Sequence, residues 1–169
     1  MEPTDAVLLL VRLWLGVVMI AHGVNHGRNL DGTANWFASK GFKSPKLNAI
    51  LSSVTEVAVG SGLALGFLTG PATAGLVATM FVAFWSIHRF AGFFVFRRPD
   101  EGYEYVATLV VLATALAVIG PGSVSIDAML GIDDDLNGWM GFGLIALGLA
   151  AGAGQLAVFW RKPEVEADG

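Results

Sequence analysis

The chain has 169 residues, of which 54% are hydrophobic and only 14% charged, with a mean hydropathy of +0.64 and a net charge of −4. An ordinary soluble domain is about 45–50% apolar and about 25% charged, so this composition is built for lipid, and the length suits one domain. There is no cysteine, which excludes disulfides, thiolate chemistry and cysteine-held metals; the basic residues are too few for a nucleic-acid surface.

Apolar runs near the length of about 20 residues needed to cross a bilayer occur five times. The first extends from about Ala6 to Gly27. It is preceded by "MEPTDAV", acidic where a cleaved signal peptide would be basic, so the first helix is expected to stay. Residues 28–46 include "GTANWFASKGFKSP", which mixes aromatics with lysines and is expected to lie along the interface. The second run covers about Leu47 to Leu68. Thr69, Gly70 and Pro71 then form a tight turn, making the second and third spans an antiparallel hairpin. The third run extends from Pro71 to Phe90 and frays through "FAGFFVF". A short fourth covers Tyr105 to Ile119, a stretch from Gly120 to Asn137 carries the solvated acids Asp133–Asp135, and a fifth covers Gly138 to Trp160. None shows the polar stripe of a soluble bundle. The expected fold is an all-α membrane protein: a four-helix transmembrane bundle over residues 1–130, then an acidic outer loop, a fifth transmembrane helix and a short tail over 131–169.

Lysine and arginine placement orients this bundle. If the spans alternate, one face receives Arg28, Lys40, Lys43, Lys46, Arg89, Arg97, Arg98, Arg161 and Lys162, while the other receives acids such as Glu2, Asp5 and Asp127. The positive-inside rule then places the N-terminus outside and the C-terminus in the cytoplasm. Trp36, Trp139, Trp160, Tyr103 and Tyr105 fall near span ends, where amphipathic rings prefer to sit.

Against this background the ionisable residues inside the spans stand out. A charged side chain at the bilayer centre costs on the order of 2.5–3.5 kcal/mol, so such groups turn inward and pair. Counted by depth, Arg12 lies in the outer half, Glu56 near the middle, and His22, His26, His88 and Glu104 in the cytoplasmic half. The last four with Glu56 suggest a polar pocket there. Arg12, Gly16, Gly23 and His26 share one helical stripe, Gly62, Gly66 and Gly70 another, and Gly148 and Gly152 a third, as close helix contacts require. Plainer readings stand beside these: Arg12 as a structural ion pair with Asp5 or Asp127, His26, His88 and Arg89 as interfacial residues, and His22 with Glu56 as a bundle lock. The assignment is His22, Glu56, His88 and Glu104 for ligand binding or proton exchange, and Arg12, His26 and Asp127 for structure. No residue is assigned to catalysis and none to a metal.

The order of motifs resembles the DoxX family of small bacterial membrane proteins. "VRLWLGVVMIAHGVNH" is similar to its R-L-x-L-G…H-G opening, and "TEVAVGSGLALGFLTGPATAG" to its second helix. "GYEYVATLVVL" is similar to its fourth helix, and "GPGSVSIDAML" to its closing loop. The resemblance covers about residues 7 to 130 and picks out Arg12, Gly16, His22, Gly23, Glu56, Gly60, Glu104 and Asp127. His26 stands where members often have lysine, and the fifth helix exceeds the usual core. What the resemblance implies is a four-helix bundle in the bacterial cytoplasmic membrane and redox physiology, since relatives serve in thiosulfate:quinone oxidoreductases or oxidant-defence complexes.

Three functional expectations follow. The first is a subunit of a redox-linked complex that admits a quinone or lipid headgroup into a slot between the first two helices, with His22 and Glu56 exchanging protons. The second is a non-catalytic accessory subunit that stabilises other membrane subunits. A small transporter ranks last, because no broken helix or duplicated half is visible. Haem on His22 or His26 with His88 ranks below quinone, since no further haem signature accompanies them, and no nucleophile-elbow motif points to hydrolysis.

Overall fold

The computed structural model describes residues 2–96 and 100–163; Arg97 and Arg98, counted above with the basic face, lie outside them. The chain folds into helices α1 (Pro3–Arg28), α2 (Leu30–Ser39), α3 (Pro45–Leu65) and α4 (Thr69–Ala83), which runs through one π turn (Phe84–His88) into α5 (Arg89–Ala91). Then come α6 (Glu104–Ile119), α7 (Ile126–Leu130) and α8 (Gly138–Phe159). Four stretches are long and apolar enough to cross a membrane: Pro3–Arg28, Pro45–Leu65, Thr69–Ala91 and Gly138–Phe159. Of the five expected crossings the fourth, α6, has 16 residues, about 24 Å at 1.5 Å per residue, and falls short of that length. Its two ends nonetheless lie at opposite ends of the bundle. Tyr105 stacks on His22 at 6.1 Å between ring centroids, whereas Gly122, just past the helix, packs against Asp5 and Leu8.

Two boundaries differ from the sequence reading. The interfacial segment is a helix, α2, started by Asn29, whose side chain accepts from the Gly32 amide at 2.9 Å. The hairpin turn is Gly66 to Leu68 rather than Thr69 to Pro71: Gly66 ends α3 at φ +64°, and Thr69 to Pro71 are already helical because proline is tolerated in a first turn. Gly70 therefore belongs to α4. Gly62, Gly66 and Gly70 do not form one stripe.

Small residues govern the packing. A Cβ on Gly16 would lie 2.7 Å from the Gly60 carbonyl, and one on Gly60 would lie 2.7 Å from the Gly16 carbonyl. Further along, a Cβ on Gly23 would sit 2.8 Å from the Ser53 carbonyl and 2.9 Å from the Glu56 Cβ. The backbones of α1 and α3 thus touch, the arrangement small residues permit in lipid. Gly148 and Gly152 bring α8 equally close to the Ala74 and Ala78 carbonyls of α4. Leu15, Leu63, Leu76, Leu109 and Leu116 fill the space among α1, α3, α4 and α6, and Ile145 of α8 joins the same core.

The bundle has an acidic end and a basic end. At the acidic end the Asp5 carboxylate accepts from the Ser123 amide at 2.8 Å. At the basic end α8 is latched to the α2–α3 loop: the Lys43 amide donates to the Phe159 carbonyl at 2.6 Å, the Arg161 amide to Gly41 at 3.0 Å, and the Trp160 indole to Lys40 at 2.9 Å.

Replacing Gly60 by valine should push α1 from α3 and lower stability by about 1–3 kcal/mol or more. Gly154→Val, where a Cβ meets no atom within 4 Å, should be near silent. Thermal unfolding of both variants in detergent checks this.

Candidate functional site

Two polar clusters interrupt the apolar interior. Nearer the acidic end, Arg12 is fully buried. Its guanidinium lies over Gly66, where a side chain would collide with it, and donates to the Leu63 carbonyl at 3.5 Å and, closely, to that of Val124. Asp127, also buried, accepts from the Leu68 amide at 2.7 Å and the Thr69 amide at 2.9 Å, and its own amide donates to the Gly66 carbonyl at 2.9 Å. The two charged groups close the α3–α4 turn from two sides. They form no direct ion pair among the described residues. Every one of these bonds goes to main chain in or beside the turn, whose buried backbone groups must be paired within the protein.

The second cluster is centred on Glu56, 4% exposed. Its Oε1 accepts from the Ser52 hydroxyl at 2.5 Å; its Oε2 is buried with no hydrogen-bond partner and lies 3.8 Å from His26 Nε2. The carboxyl forms part of the wall of a cavity of about 150 Å³. Leu51, Ser52 and Thr55 of α3, Gly75, Ala78, Thr79, Val82 and Ala83 of α4, Ser86 and Ile87 of the π turn, Trp36 and Phe37 of α2, His26 of α1 and Gln155 of α8 complete it. Thr79 donates its hydroxyl to the Gly75 carbonyl at 3.0 Å and Ser86 to Val82 at 2.7 Å. With those protons spent on backbone, both oxygens can only accept from a ligand. Gln155 is tethered through its amide nitrogen to Asn48 Oδ1 at 3.1 Å, and Asn48 donates to the Lys43 and Ser44 carbonyls. The wall is apolar with a few convergent acceptors, the usual character of a small-molecule site. A π turn in it fits the tendency of such turns to sit at functional sites.

His26 and Trp36, whose rings stack at 6.2 Å, also line a shallow pocket of about 460 Å³ at the basic end, with Asn25, Asn29, Gly32 and Thr33. They separate that surface pocket from the inner cavity.

The expected residues are distributed differently from the sequence reading. Glu56 and His26 come together at the cavity; His22, His88 and Glu104 do not line it. His22 is exposed on the edge of α1 facing α6, against Tyr105. His88 Nδ1 lies 2.6 Å from the Glu101 carbonyl oxygen, and the Glu104 carboxylate accepts from the Val95 amide at 3.2 Å, so both brace the connection from α5 to α6. The expected slot between the first two helices is absent, because the glycines that let α1 approach α3 leave no gap, and the cavity opens between α3 and α4 instead. Ser52, Thr55, Thr79, Ser86 and Gln155 went unremarked in the sequence. Ser52 and Asn48 were findable, being one and two helical turns before Glu56 on its face, as was Gln155, a polar residue inside an apolar helix.

Asp127→Ala should lower stability by about 2–4 kcal/mol, since it removes two amide acceptors and the charge that balances buried Arg12. Glu56→Gln, which keeps the Ser52 contact, should cost far less, and thermal unfolding in detergent compares them.

Residues 7–89 match the family model described as DoxX. The match runs from α1 to the start of α5 and stops before the segments at 102–112 and 120–130 that also carried the resemblance. No curated protein and no solved structure matches the chain.

Proposed function

We propose, from the premise that residues 7–89 of this membrane protein are a DoxX-family segment, that the chain binds the hydroxyl-bearing head of a quinol, the reduced form of a quinone, or of a similar lipid-soluble ring beside Glu56. The reading places it in the bacterial cytoplasmic membrane as a subunit of a redox-linked complex. One observation carries it: a nearly buried carboxyl with an unpartnered oxygen in a cavity that has room for one ring. A buried acceptor left unpaired costs roughly 1–3 kcal/mol, and a ligand hydroxyl would remove that penalty. A dry cavity of about 150 Å³ takes a benzene ring, so one quinone-sized ring fits and its tail would leave between helices past exposed Leu51 and Thr55. When bound, the ring supplies the redox chemistry. Glu56 Oε2 accepts a ligand hydroxyl and its proton, Trp36 and Phe37 cover the ring, and His26 passes the proton to the pocket at the basic end.

The test is to extract the purified protein for bound quinone and to titrate a short-chain quinol, following Trp36 fluorescence. Glu56→Gln should weaken binding about tenfold or more, as losing a hydrogen bond to a charged group does, and Ala78→Phe, which fills the cavity, should abolish it. Unchanged binding in both variants overturns the reading. Fixed-stoichiometry co-purification with other subunits, unaffected by either variant, would favour the accessory-subunit reading instead.

The same reading has α6 as a fifth crossing, with the acidic end outside and the basic end in the cytoplasm. The chain has no cysteine, so single substitutions report side directly. Asp134→Cys should react with an impermeant maleimide in intact cells, and Lys46→Cys only after permeabilisation.

A further inference from the structure

A second concavity lies between α4 and α8 at the basic end, away from Glu56. It is an open groove of about 430 Å³ walled by Phe81 and Trp85 on one side and Ala153, Leu156 and Ala157 on the other, ending at Trp160 and Arg161. Cations gather at that end. The Arg89 guanidinium carbon sits 4.0 Å above the Trp85 ring, 4.5 Å from Phe90 and 5.9 Å from Trp160, and Lys162 Nζ is 6.0 Å from the Phe90 ring.

Arg89 is the unusual member. It makes no hydrogen bond or ion pair among the described residues, and its Nε is buried without a partner. Aromatic faces hold its charge in place while leaving its fork of donors free. Two other cations of this end are matched, Lys40 with Asp100 at 2.8 Å and Lys46 with Asp31 at 3.2 Å, and Arg28 and Lys43 do not line the groove. Arg89, Arg161 and Lys162 have no carboxylate partner among the described residues. An apolar groove open to lipid and closed at one end by three such cations is complementary to an acyl chain with an anionic head. A soluble anion would leave the groove unused, and a zwitterionic head would bring its own cation against the three.

The geometry points to a site for one anionic phospholipid, its phosphate on Arg89, Arg161 and Lys162 and a chain along Trp85 and Ala157. Guanidinium groups bind phosphate in bidentate fashion, and basic pockets between transmembrane helices are a known form of lipid recognition. This site is independent of the Glu56 cavity.

The experiment places the full chain in nanodiscs of equal parts phosphatidylglycerol and phosphatidylcholine and counts retained lipids by native mass spectrometry. Each juxtamembrane cation is worth roughly fivefold in affinity, so wild type should retain phosphatidylglycerol about tenfold or more over phosphatidylcholine. The triple variant Arg89→Gln, Arg161→Gln, Lys162→Gln should lose that preference. Ala157→Trp, which fills the groove and keeps every charge, should lose it too, and carries the test if the triple variant does not fold. A charge-matched control, Arg28→Gln, Lys43→Gln, Lys46→Gln, should retain it. The inference is overturned if Ala157→Trp or the triple variant keeps the enrichment, if the control loses it equally, or if inorganic phosphate displaces the lipid, which would mark a free-anion site.

Discussion

The contact of α1 with α3 across Gly16 and Gly60 sets where the polar groups of this bundle come to lie. In hydrocarbon no water competes for helix surfaces, so close packing and internal hydrogen bonds must hold the helices together. Here the two backbones meet with no room for a Cβ between them. Because Gly23 lies against the Glu56 Cβ, the carboxyl is carried past that contact to the cavity wall beside His26 and before α4. The same approach lets Arg12 reach across to the turn that ends α3.

The two polar clusters that result are chemically unlike. Around Arg12 and Asp127, charge meets backbone: carbonyls of Leu63 and Val124 on one side, amides of Leu68 and Thr69 on the other. A turn that would otherwise leave buried backbone groups unpaired is closed by them. Around Glu56, only one carboxyl oxygen accepts a hydrogen bond from the protein, and the other lies 3.8 Å from His26 Nε2. Polar networks in a low-dielectric interior are costly where they are incomplete; both clusters keep an unpartnered buried atom, Arg12 Nε and Glu56 Oε2, but the Glu56 carboxyl is on the wall of the inner cavity, where a ligand has something to contribute.

Much of the fold was legible in the sequence, and for a definite reason. Apolar run length reports crossing helices directly for four of the spans, and it leaves α6 short, its 16 residues packed on α4 and α8 within the bundle. The site was half legible. Burial cost singled out Glu56, but the choice between His22 and His26 turns on an angle of about 40° around α1, and only the placement of α3 and α6 on either side of that helix decides it. Asp127 was a fair partner for Arg12 in depth; that it would take amides and not the guanidinium depends on a turn whose position slipped by three residues. Asn29 carried a readable start signal for α2. The π turn carried none, since an inserted residue leaves the apolar pattern of "FWSIH" unchanged.

The latch at the basic end bears on how this protein is made. Trp160 reaches back to Lys40 over 120 residues, and the strand-like contact of Phe42 with Trp160 accompanies it. A chain threaded into the membrane from its N-terminus places α1 to α6 before α8 exists, so the Gly41 carbonyl and the Lys43 amide wait without the partners that the end of α8 supplies. Assembly therefore ends with the first interfacial loop and the end of α8 finding each other, and a nascent chain stalled before residue 138 would be inserted but left open at its basic end.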